Sequence, residues 1–234
     1  IHESPILLNQ AQMPALQECA LMMEANEQLD AEPPAQWACY SDAGAMSARD
    51  SLLASNHAID SVLTHLIDTA HPLTLENRLH LLSPRLEEIG VGSTEQYSCL
   101  SPIESDRELR FTDWSAFPRA CFPLSALSDA EGNRLDDVGW SVILPPDTAI
   151  NGEAEVSVTR HTIDSIGDPN GPQREPLEVE ISYIEPEGTS AVLVMKPQGW
   201  RTEEGYIYEV VIQQMTLTMQ SRISYNLIPI RCGR

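Results

Sequence analysis

Residues Leu75 to Gly92 read LENRLHLLSPRLEEIGVG. The stretch predicts a short helix over Leu75 to Leu82 that stops before Pro84, because a residue preceding proline is pushed out of the helical region. Ile89 and Val91, flanked by Gly90 and Gly92, then read as a strand to which another backbone comes close. Upstream, Ile59, Val62, Leu63, Leu66 and Ile67 line one face of a helix, with Asn56 as its N-cap. A short helix is expected around Ala45 to Ala54. Further upstream, Met13, Leu16, Ala20 and Met23 recur on one helical face, and Pro14 suits its first turn. Pro33-Pro34 closes that segment.

Downstream the pattern changes. Ser101 to Asp137 is rich in Pro, Ser and charge, and RFTDWSAFPRACFP reads as a proline-punctuated crossing. From Val138 onward the runs WSVIL, AEVSVT, LEVEISYI, AVLVM, YIYEVVIQQM and ISYNLIPI follow one another. Val156 and Val158, then Leu177, Val179 and Ile181, alternate with period two. Pro145-Pro146, Asn151-Gly152 and Asp168-Pro169-Asn170-Gly171 are turn signals between runs. Short strands at this spacing predict a β-sandwich, immunoglobulin-like in topology, with Trp140 placed to be buried in it. No repeat of fixed period and no low-complexity tract is present.

The chain has 234 residues, with Lys+Arg 14 against Asp+Glu 35 and a formal net charge of -21. A field of that sign repels polyanions, so nucleic-acid binding through phosphate neutralisation is excluded as an expectation, and so is attraction to an anionic membrane. Hydrophobic residues make up 42%, enough for a real core. No apolar run approaches the ~20 residues that span a bilayer, so no transmembrane segment is expected. The opening IHESPILLNQ lacks a basic stretch followed by an apolar one, as in a mature chain after leader cleavage. Five cysteines, Cys19, Cys39, Cys99, Cys121 and Cys232, form no CxxC pair, which argues against a zinc ribbon or a thioredoxin-like motif.

Leu29 to Tyr40 reads LDAEPPAQWACY. Together with LENRLHLLSPRLEEIGVG it resembles the bacterial branch of the CAP superfamily (cysteine-rich secretory, antigen 5 and pathogenesis-related type 1 proteins), whose patterns run LSHxPPxxWxCY and GHRxxLLxPxLxxxGxG. The resemblance implies an α+β chain: a CAP-like α-β-α sandwich over residues 1–120, a linker over 121–137 and an antiparallel β-sandwich over 138–234. It also implies a cleft in which two histidines and two acids can hold a divalent cation. The histidine positions fall here on Ala31, which has no donor atom, and Asn77, a poor transition-metal ligand. Asp50 is the best match for one acidic position, and Glu76 lies beside the second histidine position. An extracellular resemblance and wide spacing suggest disulfides. Cys39 with Cys99 is the first expected pair, each beside a family-like segment. Cys121 with Cys232 is the second. Cys19, among apolar helical neighbours, is left as a buried free thiol, or else bridges two chains.

Other constellations are read as structural. His57, His65, His71 and His80 cluster in sequence, but His57, Asp60, Thr64 and Asp68 fall on the polar face of a helix, a solvated face. His80 is expected as a packed, hydrogen-bonded ring. Asp129, Glu131 and Asn133, followed by Asp136-Asp137, place oxygen ligands at alternate positions as calcium loops do, although Gly132 is misplaced for an EF-hand. An acidic surface loop is the expectation, and Ca²⁺ is the one cofactor left open. Nucleophile elbows, SxxK, HExxH and P-loops are absent. The expected function is therefore a secreted, non-catalytic binding or assembly module with a degenerate cleft, placed outside the cell or at its surface. Its expected partner is a protein or a second copy. The alternatives are an extracellular hydrolase acting on peptide or cell-wall material, and a lipid-binding protein with a groove lined by Met22 and Met23.

Overall fold

The computed structural model describes residues 5–109, 114–144, 155–165, 173–184, 190–213 and 222–231. Cys232 and the turn signals at 145–146, 151–152 and 168–171 lie outside the described residues. The fold is mixed α/β, and antiparallel pairing dominates its three sheets. The chain divides into two units: residues 2–71 with 75–107, and residues 108–234 with Pro72–Thr74.

The N-terminal unit runs β1 (Leu7–Leu8), α1 (Met13–Asn26), α2 (Asp42–Arg49), β2 (Leu52–Ala54), α3 (Ala58–Ile67), α4 (Glu76–Leu82), β3 (Leu86–Ser93) and β4 (Ser98–Glu104). Its sheet has the order β1-β3-β4-β2, with β1 parallel to β3 and the other pairs antiparallel. A proline sits in the first turn of α1, where its missing N–H costs nothing, and Glu27 ends the helix in the left-handed region. Ser41 caps α2 by accepting from the Gly44 amide at 3.0 Å.

Gly90 and Gly92 let α1 settle onto β3. A Cβ on Gly92 would stand 2.0 Å from the Leu16 carbonyl oxygen, and one on Gly90 2.5 Å from the Leu16 side chain. Leu16, Cys19, Ala20 and Met23 of α1 meet Ala48, Tyr97 and Cys99 in one buried cluster, with Trp37 and Leu53 packed against it.

That approach decides the disulfide. Cys99 lies opposite Gly92 in the β3–β4 register, so it meets the helix that Gly92 admits. The bond joins Cys19 to Cys99 across a Cα–Cα distance of 6.4 Å. The expected Cys39–Cys99 pair is thereby overturned, and so is Cys19 as a free thiol. Cys39 and Cys121 are exposed and free.

Two further expectations are corrected here. Residues 45–54 form the end of α2 and then strand β2, and α3 is capped by His57, not Asn56. The α3 face is also turned: Ile59 is 74% exposed while Ser61, His65 and Asp68 are buried.

The C-terminal unit contains β5 (Ser115–Phe117), β6 (Ala120–Pro123), α5 (Leu135–Val138), β7 (Trp140–Ile143), β8 (Glu155–Thr162), β9 (Glu175–Leu177), β10 (Val179–Ile184), β11 (Val192–Pro197), β12 (Tyr206–Gln213) and β13 (Arg222–Ile230). One sheet has the order β10-β11-β7-β5 and the other β6-β13-β12-β8-β9. All pairs are antiparallel except β6 with β13. Along β13, Ile223, Tyr225 and Leu227 are buried while Arg222, Ser224 and Asn226 are exposed, the period-two pattern of a sheet with one covered face. The segment expected as a linker, 121–137, instead supplies β6 and α5. The boundary falls near Arg107 and not at 120, because backbone pairing with β13 holds residues 120–123 in a sheet.

Aromatic rings join the two sheets. Trp140 of β7 is fully buried and meets Tyr208 of β12 edge to face at 5.7 Å. Phe117 of β5 meets Phe122 of β6 at 5.3 Å in the same manner. Among the described residues no helix is long and apolar enough to cross a membrane.

Candidate functional site

A buried gathering of ionisable groups lies where α3 ends and α4 begins. Asp68 leaves α3 in the left-handed region at φ 53 and is 1% exposed. One carboxylate oxygen, Oδ2, accepts from the Arg78 backbone amide at 3.2 Å. The other, Oδ1, lies 3.0 Å from Nδ1 of His71. The Arg78 guanidinium is fully buried. Its Nε donates to the Leu66 carbonyl and its Nη2 to the Ile67 carbonyl at 2.9 Å. An arginine reaching from α4 thus satisfies carbonyls that the last turn of α3 leaves open, with its charge at the negative end of that helix. Burial pulls Arg78 down to about 10, against the pull of Asp68 the other way, so it stays charged at neutral pH.

His65 lies on the same side of α3, 4% exposed. Burial lowers its pKa to about 4, opposed by Asp68 and helped by His71, so the ring is neutral at pH 7. Its Nε2 is buried with no hydrogen-bond partner. His71 differs in having a side chain 39% exposed. Asp68 and His71 therefore form a carboxylate–imidazole pair in which the acid orients the ring, two of the three parts of a nucleophile–base–orienter arrangement. Among the described residues no Ser, Thr or Cys side chain hydrogen-bonds His71.

The sequence placed Asp68 on a solvated face; it is buried. His57 is exposed, as expected of that face. His80, expected as a packed ring, is exposed. The signal that could have found the site is the i, i+3 spacing of Asp68 and His71 followed by Arg78 in the next helix.

The four cleft positions do not form a bonded set. Ala31 and Asp50 are exposed, Glu76 is exposed in the first turn of α4, and Asn77 is half-buried. No hydrogen bond or ion pair links any two of them among the described residues.

The calcium candidates are engaged elsewhere. Asp129 Oδ1 accepts from the Asn133 amide and Oδ2 from Asn133 Nδ2, both at 2.8 Å, closing a turn between Ser128 and Arg134. Beside that carboxylate, burial and the Asp129 charge raise the Glu131 pKa. Asp136 is 2% exposed and accepts from Trp140 Nε1 at 3.2 Å, Thr202 N at 2.8 Å and Thr202 Oγ1 at 2.6 Å. Asp136 therefore ties α5 to the segment before β12, apart from Asp129. No group of three His, Cys, Asp or Glu placed to hold a metal occurs among the described residues.

No protein-family model matches the chain, and neither does any curated protein or solved structure.

Proposed function

We propose that the chain is a secreted, non-catalytic binding or assembly module, its N-terminal unit a degenerate CAP-like layer structure and its C-terminal unit an immunoglobulin-like sandwich. The observation that carries the functional reading is the use made of Asp68 and Arg78. Their hydrogen bonds go to the end of α3 and to His71, which commits these two buried charges to holding the unit together.

The fold reading has its own support. The helix pairs α1–α2 and α3–α4 each pack on one four-stranded sheet, as an α-β-α arrangement requires. In the C-terminal unit the sheet orders β10-β11-β7-β5 and β13-β12-β8 correspond to the D-E-B-A and G-F-C orders of immunoglobulin domains. Tyr208, near the start of β12, accepts from the Glu203 amide at 2.9 Å and donates to the Arg201 carbonyl at 3.4 Å. This bonding is similar to the tyrosine corner of such domains and supports the reading. A buried Cys19–Cys99 disulfide fits an oxidising compartment, outside the cell or at its surface. The exposed thiols of Cys39 and Cys121, one in each unit, favour linkage to another chain or to a second copy.

Native mass spectrometry with and without reductant tests this reading. A stable oligomer, or a dimer released by reductant, is the expected result. A monomer that retains one metal ion through purification overturns it.

The second reading, an extracellular hydrolase acting on peptide or cell-wall material, draws on the Asp68–His71 pair alone. It requires hydrolysis that a His71→Ala variant loses while its fold persists.

A further inference from the structure

The C-terminal unit carries an open groove of about 500 Å³, lined by Asp137, Glu180, Lys196, Gln198, Trp200 and Arg201 among others. Trp200 forms its aromatic wall. The indole stacks on Tyr208 at 5.6 Å and 18°, meets Trp140 edge to face at 5.5 Å, and donates from Nε1 to the Glu178 carbonyl at 2.6 Å. Three fixed contacts hold the ring before any ligand arrives. Behind it, buried Asp136 grips Thr202 through both the amide and the hydroxyl. The loop from Gln198 to Thr202 is thus built in place, and a ligand meets it without an ordering cost.

The polar groups around Trp200 alternate in character. Glu180 and Lys196 stand directly opposite each other on β10 and β11. Gln198 Nε2 donates to Glu180 Oε2 at 3.1 Å, and Arg201 pairs with Asp137. Lys196 is the only lysine in the sequence, and it makes no ion pair among the described residues. On the rim two acids, Asp137 and Glu180, face two bases, Lys196 and Arg201, and the third lining acid, buried Asp136, is paired with Arg134 at 3.6 Å, so the groove carries no strong excess of either sign on a chain of net charge -21.

That balance sorts the ligands. An anion is repelled by the field of the whole chain, and a cation meets the bases Lys196 and Arg201 on the rim. The site is distinguished for a neutral ligand that offers a flat apolar face to an indole and a rim of groups that both donate and accept. A pyranose ring has this form: one face of C–H bonds and a circle of hydroxyls. We propose that the groove binds a neutral glycan, with one sugar ring against Trp200 and its hydroxyls shared among Gln198, Glu180 and Lys196. The proposal concerns the C-terminal unit alone and stands whether or not the chain self-assembles.

The test is native affinity electrophoresis of the full chain through gels containing soluble neutral polysaccharides: a β-glucan, a galactomannan and a xylan. At least one is expected to retard the protein, and a Lys196→Ala/Gln198→Ala variant to weaken that retardation at least tenfold in apparent Kd. Both side chains are exposed, so this variant keeps the fold. Trp200→Ala is expected to abolish retardation, and Trp200→Phe to restore part of it, with circular dichroism checking that both are folded. Passage unretarded through all three gels overturns the proposal. So does retardation that the double variant leaves unchanged, or retardation only in a fourth gel that contains the anionic polygalacturonate.

Discussion

Gly92 and Leu16 meet backbone to backbone: a Cβ on the glycine would lie 2.0 Å from the Leu16 carbonyl oxygen and 2.5 Å from the Gln17 nitrogen. Neither is a flexible end that can swing aside, so any larger residue must lift α1 from the sheet. Gly92→Ala is expected to destabilise by at least ~3 kcal/mol or to abolish folding. Gly90→Ala meets a Leu16 methyl first and is expected to cost less, about 1–2 kcal/mol. Urea unfolding of the two variants checks the order, and equal losses contradict it.

The Cys19–Cys99 bond closes a loop of 80 residues. In the chain-entropy model its removal by Cys19→Ser with Cys99→Ser costs ~4 kcal/mol. Cys39→Ser is expected to leave the melting temperature unchanged, since that thiol is exposed and unpaired. Peptide mapping without reductant should recover a Cys19–Cys99 linked fragment, and recovery of Cys39 bound to Cys99 contradicts the structure.

His65 makes stability depend on pH in a definite direction. An unfolded histidine takes up a proton below about 6.5, whereas buried His65 does so only below about 4. Between those values the unfolded state binds more protons, so stability rises with pH there and falls on acidification. The loss amounts to roughly 3 kcal/mol across the window. Equilibrium unfolding at stepped pH should show this slope in the native chain and a flatter one in His65→Gln. An unchanged slope in the variant assigns the effect to another group.

Asp136 holds three donors while 2% exposed. Asp136→Ala leaves the Trp140 indole and the Thr202 amide and hydroxyl without partners, at an expected cost of about 3 kcal/mol. Because its oxygens are so engaged, calcium is expected to leave the melting temperature of the native chain unchanged. A rise at millimolar calcium contradicts that assignment.

The fold was legible where a local rule coincided with the tertiary demand. Gly90 and Gly92 in a strand pattern announced a close backbone, Pro14 marked the first turn of α1, and the alternating runs after residue 138 became strands. The disulfide was missed because Cys19 shared a face with Leu16 and Met23 and read as apolar filling. The same face meets the glycines opposite Cys99, a relation that only the β3–β4 register reveals. The Asp68 site was missed for a related reason. Counting apolar residues on α3 turned its polar side outward, but Arg78, ten positions after Asp68, makes burial of that side affordable. The expected linker was misread because β6 is short and its partner lies about a hundred residues later.

That distance sets an order of events. A chain delivered from its N-terminus holds every strand of the first sheet by residue 104, so α1 can close on it and the cysteines can oxidise early. The strand Ala120–Pro123 waits for its neighbour until residues 222–230 arrive, and through that interval one edge of the second unit stays open. A chain cut short of the last strand therefore leaves behind an oxidised first unit joined to an unfinished second one.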